Sequence, residues 1–400
     1  MQKGLRKMML NDSETKKLAS EYGTPLFVID KAEAKRRVSK IAEKLPKNAK
    51  LCYAIKANAF LTEMLKDEDI MFEVCSPGEL SICEKAGLSP EKIVFSGVVK
   101  TEEDVKRAYA LKVHTITLES KSQLDHLKKA VEAGQAHKQN VILRLSGGNQ
   151  FGMNESDLCD CLKELKRMDS INIRGIHFFT GTQKKSKTIA EEIPLIESFC
   201  EKVKSDFSLG ELEIEYGAGL PYDYFSGKDE RENYSAIEEF SALIAESKFK
   251  YTIELGRYIA APLAFYVTKI VDSKDSGDGK SRYCLIDGGI NHINYFGQMM
   301  GMKVPRIDHI RIPSDNKAVK EDVDCTIAGS LCTTADIVVR KLPLESPKIG
   351  DLLKFNDIGA YSMTEGIYLF LSHPLPAVVS VEDGKAMQLR KNTETFIVNA

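Results

Sequence analysis

Strand-like and helix-like segments alternate along the first two thirds of this chain. Short apolar runs, typical of buried strands, recur eight times, and amphipathic stretches such as 102–111, 121–134 and 235–247 separate them. The eight strand candidates are 51–57, 70–76, 92–98, 113–120, 140–146, 171–181, 211–219 and 249–256. Such alternation favours a parallel sheet. Eight repeats predict a (β/α)8 TIM barrel, whose functional residues lie at the C-terminal ends of the strands.

After residue 257 the pattern changes to strands joined by turns, with little helix. The strand candidates in this part are 264–274, 281–289, 336–342 and 376–390. An earlier strand at 25–30 precedes the barrel and is assigned to the same part. The sequence therefore predicts a barrel over 31–257 and a second, mostly β domain formed by 1–30 and 258–400.

Composition excludes several classes of protein. The formal net charge of −2 over 400 residues gives no basic signature for nucleic acid or for a membrane surface. No apolar run approaches the ~20 residues of a spanning helix, and the N-terminal segment lacks the apolar core of a secretory signal. The nine cysteines show no disulfide spacing, which predicts a reducing cytoplasm. Cys159 and Cys161 do not share a helix face, so no metal site is predicted.

Lys56 stands at the end of the first predicted barrel strand. Burial there disfavours the charged ammonium, so we expect a lowered pKa and a better amine nucleophile. An aldehyde cofactor requires such an amine to form a Schiff base. A surface lysine just past the strand is the alternative interpretation.

Polar and small residues also collect at the ends of the other predicted strands. The loop Gly217-Ala218-Gly219 lets backbone N–H groups approach a phosphate, and Arg257 is a fork-shaped phosphate partner. With Lys56, and with Glu254 facing a pyridine nitrogen, this set predicts pyridoxal 5′-phosphate. An ordinary ion pair between Glu254 and Arg257 is the alternative. The remaining strand-end residues are Glu73, Ser76, Arg144, His177, Thr182 and Gly256.

Six motifs in order make the chain similar to a known family, the fold-type III pyridoxal-phosphate enzymes. This family contains ornithine and diaminopimelate decarboxylases, with alanine racemase as a distant relative. The resemblance extends from about residue 24 to residue 396. The motifs are YAIKAN (53–58), FEVCSPGEL (72–80), GIHFFTGTQ (175–183), ELGR (254–257), GSLCTTAD (329–336) and DIGAY (357–361).

The resemblance implies a role for each matching residue. Lys56 forms the Schiff base with the cofactor, and Glu254 pairs with the protonated ring nitrogen. Cys332 returns a proton to the substrate's α carbon after carbon dioxide leaves, and it does so across a homodimer interface, in the partner's site. A buried cysteine that packs as a small hydrophobe is the alternative for Cys332. The implied phosphate contacts are Thr182, Gly217, Ala218, Gly219, Arg257 and Tyr361, and the other cofactor contacts are Glu73, Ser76, Arg144, His177, Phe179 and Gly256.

Two departures from the family pattern bear on the substrate. Thr333 stands where these decarboxylases carry an acidic residue that binds the substrate's distal ammonium. A hydroxyl cannot balance a desolvated ammonium, so ornithine, lysine and diaminopimelate are disfavoured. Phe179 takes the place of the histidine that stacks on the cofactor ring. The predicted substrate contacts are Thr333, Asp336 and Tyr295, although Tyr295 is equally interpretable as a loop residue.

Further segments, 294–307 and 359–379, are similar to the subgroup that contains the butirosin-pathway L-glutamyl-[acyl-carrier protein] decarboxylase. Ser330 and Thr334-Ala335 depart from that pattern. The resemblance implies α-decarboxylation of an L-amino acid or of an aminoacyl thioester on a carrier protein. The alternatives are a diaminopimelate- or ornithine-type decarboxylase, an amino-acid racemase, and a non-catalytic homologue that binds a protein partner.

Overall fold

The computed structural model describes residues 10–277, 280–312 and 322–400. The basic N-terminal segment considered above lies mostly outside these residues. The described chain begins with helix α1 (Asp12–Tyr22), which has a capping box at Asn11, and continues with strand β1 (Leu26–Asp30) and helix α2 (Lys31–Lys44). In the described ranges, no helix combines the length and apolar character needed to cross a bilayer.

Eight parallel strands then close into a barrel, because β9 pairs with β2 as well as with β8. These strands are β2 (Ala49–Ala54), β3 (Met71–Val74), β4 (Ile93–Phe95), β5 (Thr115–Leu118), β6 (Gln139–Leu145), β7 (Ile171–Phe178), β8 (Glu213–Gly217) and β9 (Lys250–Leu255). Most of their residues are buried, as expected for strands covered by helices on the outside and by packed side chains inside. The predicted TIM barrel is confirmed.

A helix follows each barrel strand along the chain, and several of these helices begin at a side-chain cap. Ser76, Thr101, Ser120 and Asn154 each accept a hydrogen bond from a backbone N–H of the first turn, which satisfies one otherwise unpaired donor. The helices are α3 (Leu61–Leu65), α4 (Pro77–Ala86), α5 (Glu102–Ala110), α6 (Lys121–Ala133), α7 (Glu155–Leu165), α8 (Ser186–Asp206), α9 (Ser235–Ile244) and α10 (Arg257–Ala260).

The second part of the chain is mostly β, as predicted. Its nine-stranded sheet follows the order β14-β13-β11-β10-β1-β16-β17, and β15 pairs with β10 and β12. Strand β1 is central and lies between antiparallel β10 and parallel β16, over an apolar core that includes Leu26, Phe265 and Val379. The strands are β10 (Ala264–Asp275), β11 (Ser281–Ile286), β12 (Ile307–Ile310), β13 (Asp322–Ala328), β14 (Ile337–Glu345), β15 (Leu352–Phe355), β16 (Ala377–Glu382) and β17 (Lys385–Arg390), and the chain ends with helix α11 (Phe396–Asn399).

The chain divides into two compact units. The barrel unit comprises 35–222 and 233–259, and the β unit comprises the described residues within 1–34, 223–232 and 260–400. The sequence predicted domain boundaries at residues 31 and 257. Whether these boundaries separate independently folding domains stays a prediction. Within the β unit, the single strand predicted over 376–390 is a hairpin of β16 and β17, because the turn at Asp383-Gly384, with both residues at positive φ, reverses the chain.

Candidate active site

Lys56 lies just beyond the first barrel strand. Strand β2 ends at Ala54, and Ile55–Ala57 form a single 3-10 turn, so the strand predicted over 51–57 ends earlier than expected. The turn brings the lysine next to the neighbouring strand β3, where its Nζ donates a hydrogen bond to Glu73 Oε2 at 2.7 Å. The predicted neighbours Lys56 and Glu73 are thus in direct contact.

The ion pair with Glu73 decides the protonation state of Lys56. Burial alone lowers the pKa of Lys56, but the carboxylate of Glu73, itself almost fully buried, outweighs burial and holds that pKa well above its usual value. The prediction of a lowered pKa is therefore wrong. The prediction rested on the apolar surroundings of a strand end, which lower the pKa of a lysine. It left out the carboxylate on the adjacent strand, which raises that pKa.

Cys75 is a third member of this group, and the sequence analysis did not single it out. Its Sγ lies 3.5 Å from Lys56 Nζ and donates to Glu73 Oε1 at 3.2 Å. Burial raises the pKa of Cys75 well above its usual value, so the group is a neutral thiol. Ser76 next to it caps α4 by accepting from Glu79 N at 3.1 Å.

The ring of Phe179 connects the lysine to the glycine loop. Its centroid lies 6.0 Å from Lys56 Nζ, 6.0 Å from Lys184 Nζ and 5.9 Å from the guanidinium carbon of Arg144. A Cβ added to Gly217 would lie 2.3 Å from Cδ2 of this ring. The position predicted to stack on the cofactor therefore lies between the lysine and the predicted phosphate loop.

The loops after β7 and β8 approach each other too closely for side chains. Gly219 has a φ of +56°, and a Cβ there would lie 2.2 Å from the carbonyl oxygen of Gly181. Lys184 N donates to the Gly219 carbonyl at 2.9 Å and fixes this approach. Thr182 lies within the same pair of loops, which form a backbone cradle of the kind that binds phosphate.

The end of β9 lies against the turn of Lys56. A Cβ added to Gly256 would lie 3.0 Å from the Cβ of Ala57, so a small residue is required at this contact. Arg257 follows as the first residue of α10 and is buried. The C-terminal ends of β2 and β9, which are neighbours in the closed barrel, thus bring Gly256 and the lysine turn together.

Glu254 is buried beside His177. The Nε2 atom of His177 lies 3.4 Å from Glu254 Oε1, and the exposed fractions of the two residues are 1% and 7%. Burial alone raises the pKa of Glu254, but the neighbouring His177 outweighs the effect of burial, and the pKa of Glu254 lies below its usual range. Glu254 is therefore an ionised carboxylate inside the barrel, which suits the partner of a protonated ring nitrogen.

The pyridoxal binding domain of pyridoxal-dependent decarboxylases is the family model that matches this chain, over residues 31–261. The match covers more than half of the chain. The chain belongs to this family. Its cofactor is pyridoxal 5′-phosphate and its reaction is the decarboxylation of an amino acid, which confirms the predicted family, cofactor and reaction class. The racemase and the non-catalytic homologue are not favoured.

Full-length relatives agree with this assignment. The diaminopimelate decarboxylase of Aquifex aeolicus is 27% identical and aligns over 94% of this chain and 91% of its own length. The L-glutamyl-[BtrI acyl-carrier protein] decarboxylase of Niallia circulans is 25% identical over 96% of this chain and 95% of its own. Among solved structures, AQ1208 from Aquifex aeolicus has a TM-score of 0.81 at 25% identity and covers 96% of this chain and 93% of its own.

The barrel residues of this decarboxylase fit pyridoxal 5′-phosphate. The glycine loops leave no room for a Cβ at Gly217 or Gly219, as a backbone phosphate cradle requires. The buried Glu254 carboxylate has an oxygen without a well-formed hydrogen bond, as expected for a group that receives a ring N–H from the cofactor. Lys56, just beyond the C-terminal end of β2, has the kind of amine that an aldehyde cofactor requires.

The predicted residues of the β unit lie on three loops, and Cys332, Thr333 and Asp336 share the loop between β13 and β14. Cys332 is exposed, so the alternative of a buried packing cysteine is wrong. Thr333 is also exposed and accepts from Ala335 N at 3.2 Å. Asp336 is buried and accepts from the backbone N–H groups of Ile290 and Leu331, at 2.9 and 2.7 Å.

Two further predicted residues of the β unit are tyrosines, one hydrogen-bonded to the backbone and one with an unusual backbone conformation. The hydroxyl of Tyr295 donates to the Asn356 carbonyl at 2.6 Å. Tyr361 has a φ of +69°, a left-handed conformation that side-chain residues seldom adopt. Their predicted roles toward substrate and phosphate stay predictions.

Sequence reasoning missed three residues of the barrel interior. Besides Cys75, these are Glu119, which forms a buried ion pair with Arg144 at 2.9 Å, and Glu215 on β8. Glu119 directly follows strand β5 and Glu215 lies within strand β8, and an acidic residue at a strand predicted to be buried is the signal that could have identified them.

Proposed function

We propose that this decarboxylase acts on an L-amino acid whose side chain carries no positive charge at its distal end, presented either free or as an aminoacyl thioester on an acyl carrier protein. One observation carries the proposal. The residue after Cys332 is Thr333, and the nearest carboxylate of that loop, Asp336, is already engaged by two backbone N–H groups. A distal ammonium would find no free counter-charge in this loop.

Two relatives support the substrate class. One is named for L-glutamyl on the BtrI acyl-carrier protein, and another, from Staphylococcus aureus, for 2-[(L-alanin-3-ylcarbamoyl)methyl]-2-hydroxybutanedioate. Both names describe an amino acid extended through an acyl or carbamoyl group. Diaminopimelate decarboxylation is the second candidate, favoured by the relative from Aquifex aeolicus.

The residues at the C-terminal ends of the barrel strands would each have a separate role in decarboxylation. When bound, pyridoxal 5′-phosphate takes up the electron pair that departing carbon dioxide leaves at the α carbon. Lys56 would hold the cofactor through its amine after giving up the proton that Glu73 stabilises. Glu254 would keep a proton on the ring nitrogen, and Phe179 would pack against the ring.

The remaining roles concern phosphate binding and proton return. The glycine loop around Gly217 and Gly219, with Thr182, Arg257 and Tyr361, would bind the phosphate. Ser76, Arg144, His177, Ala218 and Gly256 would complete the cofactor site. The exposed thiol of Cys332 would return a proton to the α carbon.

We further propose a homodimer with shared active sites, in the cytoplasm. Exposed apolar side chains occur on two segments of the β unit, at Met299, Met302, Ile367 and Leu369. Asn294 N donates to Ser362 Oγ at 2.9 Å, which ties the two segments together, and such a patch is typical of a protein interface. All nine cysteines are free thiols, which supports a reducing compartment.

The substrate is tested by mass spectrometry of loaded enzyme incubated with free amino acids, including diaminopimelate and ornithine, and with aminoacyl carrier proteins. We expect loss of carbon dioxide from a substrate that lacks a distal ammonium, and none with the Lys56→Ala variant. Efficient turnover of ornithine or lysine by the unmodified protein would contradict the proposal. In addition, Thr333→Glu should increase turnover of diamino acids relative to the wild-type protein, because it adds the missing counter-charge.

A further inference from the structure

Three ionisable side chains meet inside the barrel on the neighbouring strands β7, β8 and β9. The register places His177 opposite Glu215, and Gly217 opposite Glu254. One polar side-chain atom from each of His177, Glu215 and Glu254 lies within 4.8 Å of the other two, and all three residues are buried. Glu215, with an exposed fraction of 1%, has no role in the proposed mechanism.

Two carboxylates this close together, and this deeply buried, cannot both carry a charge. Each ionised group would lose its hydration, and the two would also repel each other across a medium of low dielectric constant. One proton is therefore held between Glu215 and Glu254. A similar sharing of one proton occurs wherever two carboxyl groups occupy one buried site.

The surroundings of the pair assign this proton to Glu215. His177 Nε2 lies 3.4 Å from the Glu254 carboxylate, so the histidine favours the charged form of Glu254. Burial first, and then the charge of Glu254, raise the pKa of Glu215 well above its usual value. A neutral Glu215 also has a donor, whereas an ionised one could only accept.

We propose that Glu215 is a neutral, protonated positioning residue that donates a hydrogen bond to Glu254 and thereby holds the Glu254 carboxylate in place toward the cofactor ring. This inference rests on the proposed pairing of Glu254 with the ring nitrogen. Glu215 does not touch the cofactor in this account. It sets the orientation of Glu254 and limits the site to one negative charge.

Other groups around the pair do not change the assignment. Cys52 is opposite Glu254 in the β2–β9 register, and burial raises its pKa well above the usual value, so it is uncharged. Glu73 on β3 is paired with Lys56 at 2.7 Å. Glu213, two residues earlier on β8, accepts from Arg174 Nε at 2.9 Å.

Infrared spectroscopy of the cofactor-free protein tests the proposal without any activity measurement. A protonated carboxylic acid has a carbonyl stretch that a carboxylate lacks. We expect this band at neutral pH, well above the ordinary glutamate pKa of about 4.3, and we expect Glu215→Gln to remove it. Glu213→Gln is the matched control on the same strand. Because Glu213 is paired with an arginine, its replacement should leave the band unchanged.

Two outcomes of the infrared experiment would overturn the proposal. One is the absence of the acid band in the wild-type protein, which would also result if a divalent cation replaced the proton and ionised both carboxylates. The other is a band that survives in Glu215→Gln and disappears in Glu254→Gln, which would place the proton on Glu254.

Measurements of cofactor affinity distinguish a Glu215 that positions Glu254 through a hydrogen bond from a Glu215 that only fills space in the barrel. Glu215→Gln keeps a neutral donor, so its dissociation constant for pyridoxal 5′-phosphate should stay close to the wild-type value. Glu215→Leu has similar bulk and no donor, and it should weaken binding about tenfold or more, since a hydrogen bond to a charged group is lost. Equal affinities of the two variants would refute the proposal.

Failure of this inference is distinguishable from failure of the proposed function. If the cofactor did not attach to Lys56, reductive labelling would fail at that residue while the infrared band of Glu215 persisted. If Glu215 were ionised, the band would be absent while Lys56 was still labelled. If Glu215→Leu does not fold, the infrared comparison of Glu215→Gln with Glu213→Gln still decides the proton's position.

Discussion

At the scale of single residues, Lys56 shows that a neighbouring carboxylate can outweigh the effect of burial on the pKa of a lysine. A strand-end lysine in apolar surroundings is expected to be an unprotonated nucleophile. Instead, Glu73 at 2.7 Å holds it as an ammonium. Attachment of the cofactor therefore requires that this proton leave first, and Glu73 is the group in contact with it.

Replacing Glu73 should make Lys56 more reactive toward aldehydes. In Glu73→Gln the carboxylate that raises the pKa of Lys56 is gone and burial, which lowers the pKa, remains. At a pH below the pKa of Lys56, the fraction of neutral amine rises about tenfold for each unit by which that pKa is lowered. Stopped-flow absorbance with unphosphorylated pyridoxal at neutral pH should show faster attachment to the cofactor-free variant than to the wild-type protein.

Glu79→Gln is the matched control for this measurement. Glu79 is a neighbouring acid of the same motif, but it accepts from the backbone N–H of Cys75 and not from the lysine. Its replacement should leave the attachment rate nearly unchanged. A slower rate in Glu73→Gln than in Glu79→Gln would show that Glu73 assists proton removal more than it opposes it.

At the scale of elements, the close approach of the loops after β7 and β8 defines the predicted phosphate cradle. Gly217→Ala should weaken binding of pyridoxal 5′-phosphate and lower the free energy of unfolding by about 1–3 kcal/mol, because its Cβ would overlap the Phe179 ring. Cofactor titration and urea unfolding measure these two effects. Gly210→Ala is the control, since a Cβ at Gly210 meets nothing within 4 Å.

Phe179, whose ring the added methyl group of Gly217→Ala would overlap, allows a second test of this prediction. In a Phe179→Leu background the ring is absent, so the added methyl of Gly217→Ala should cost less unfolding free energy than in the wild-type protein. Additive effects of the two substitutions would show that the clash is relieved elsewhere in the loop.

Sequence patterns predicted the repeating elements well and the short ones poorly. The barrel followed from eight apolar runs separated by amphipathic helices, because each strand–helix repeat carries its own periodic signal. Strands β12 and β15 have four residues each, and β13 mixes polar and apolar residues, so these three gave no clear pattern and were missed.

The candidate site was predicted where chemistry depends on residue type, as at Lys56, Glu254 and the glycine loop. It was incomplete where chemistry depends on pairing across the barrel. The role of Glu119 depends on its ion pair with Arg144, 25 residues later in the chain. The role of Glu215 depends on its proximity to Glu254, 39 residues later. A pattern of spacing within one segment carries no information about such pairs.

At the scale of the whole molecule, the proposed homodimer predicts complementation between inactive variants. Lys56→Ala removes the cofactor amine and Cys332→Ala removes the proton donor. If Cys332 serves the partner's site, mixing the two variants in equal amounts and allowing subunit exchange should restore about a quarter of the wild-type activity, because half of the dimers then contain one complete site.

Sedimentation of the same mixture confirms that dimers are present. Restoration of activity without dimers would contradict the shared site, as would dimers that exchange subunits and restore none. Cys332→Ala alone should retain the cofactor absorbance, since the thiol contributes to proton return and not to cofactor binding.

The most direct measurement is borohydride reduction of the cofactor-loaded protein, followed by peptide mapping. It is discriminating because the barrel also contains the buried lysines Lys100 and Lys184. Burial lowers the pKa of Lys100 to about 8, and burial also lowers the pKa of Lys184, so both are better nucleophiles than Lys56 by protonation alone. We predict that the reduced cofactor is found on the peptide containing Lys56 and is absent from Lys56→Ala. Label on Lys100, on Lys184 or on no lysine would contradict the account.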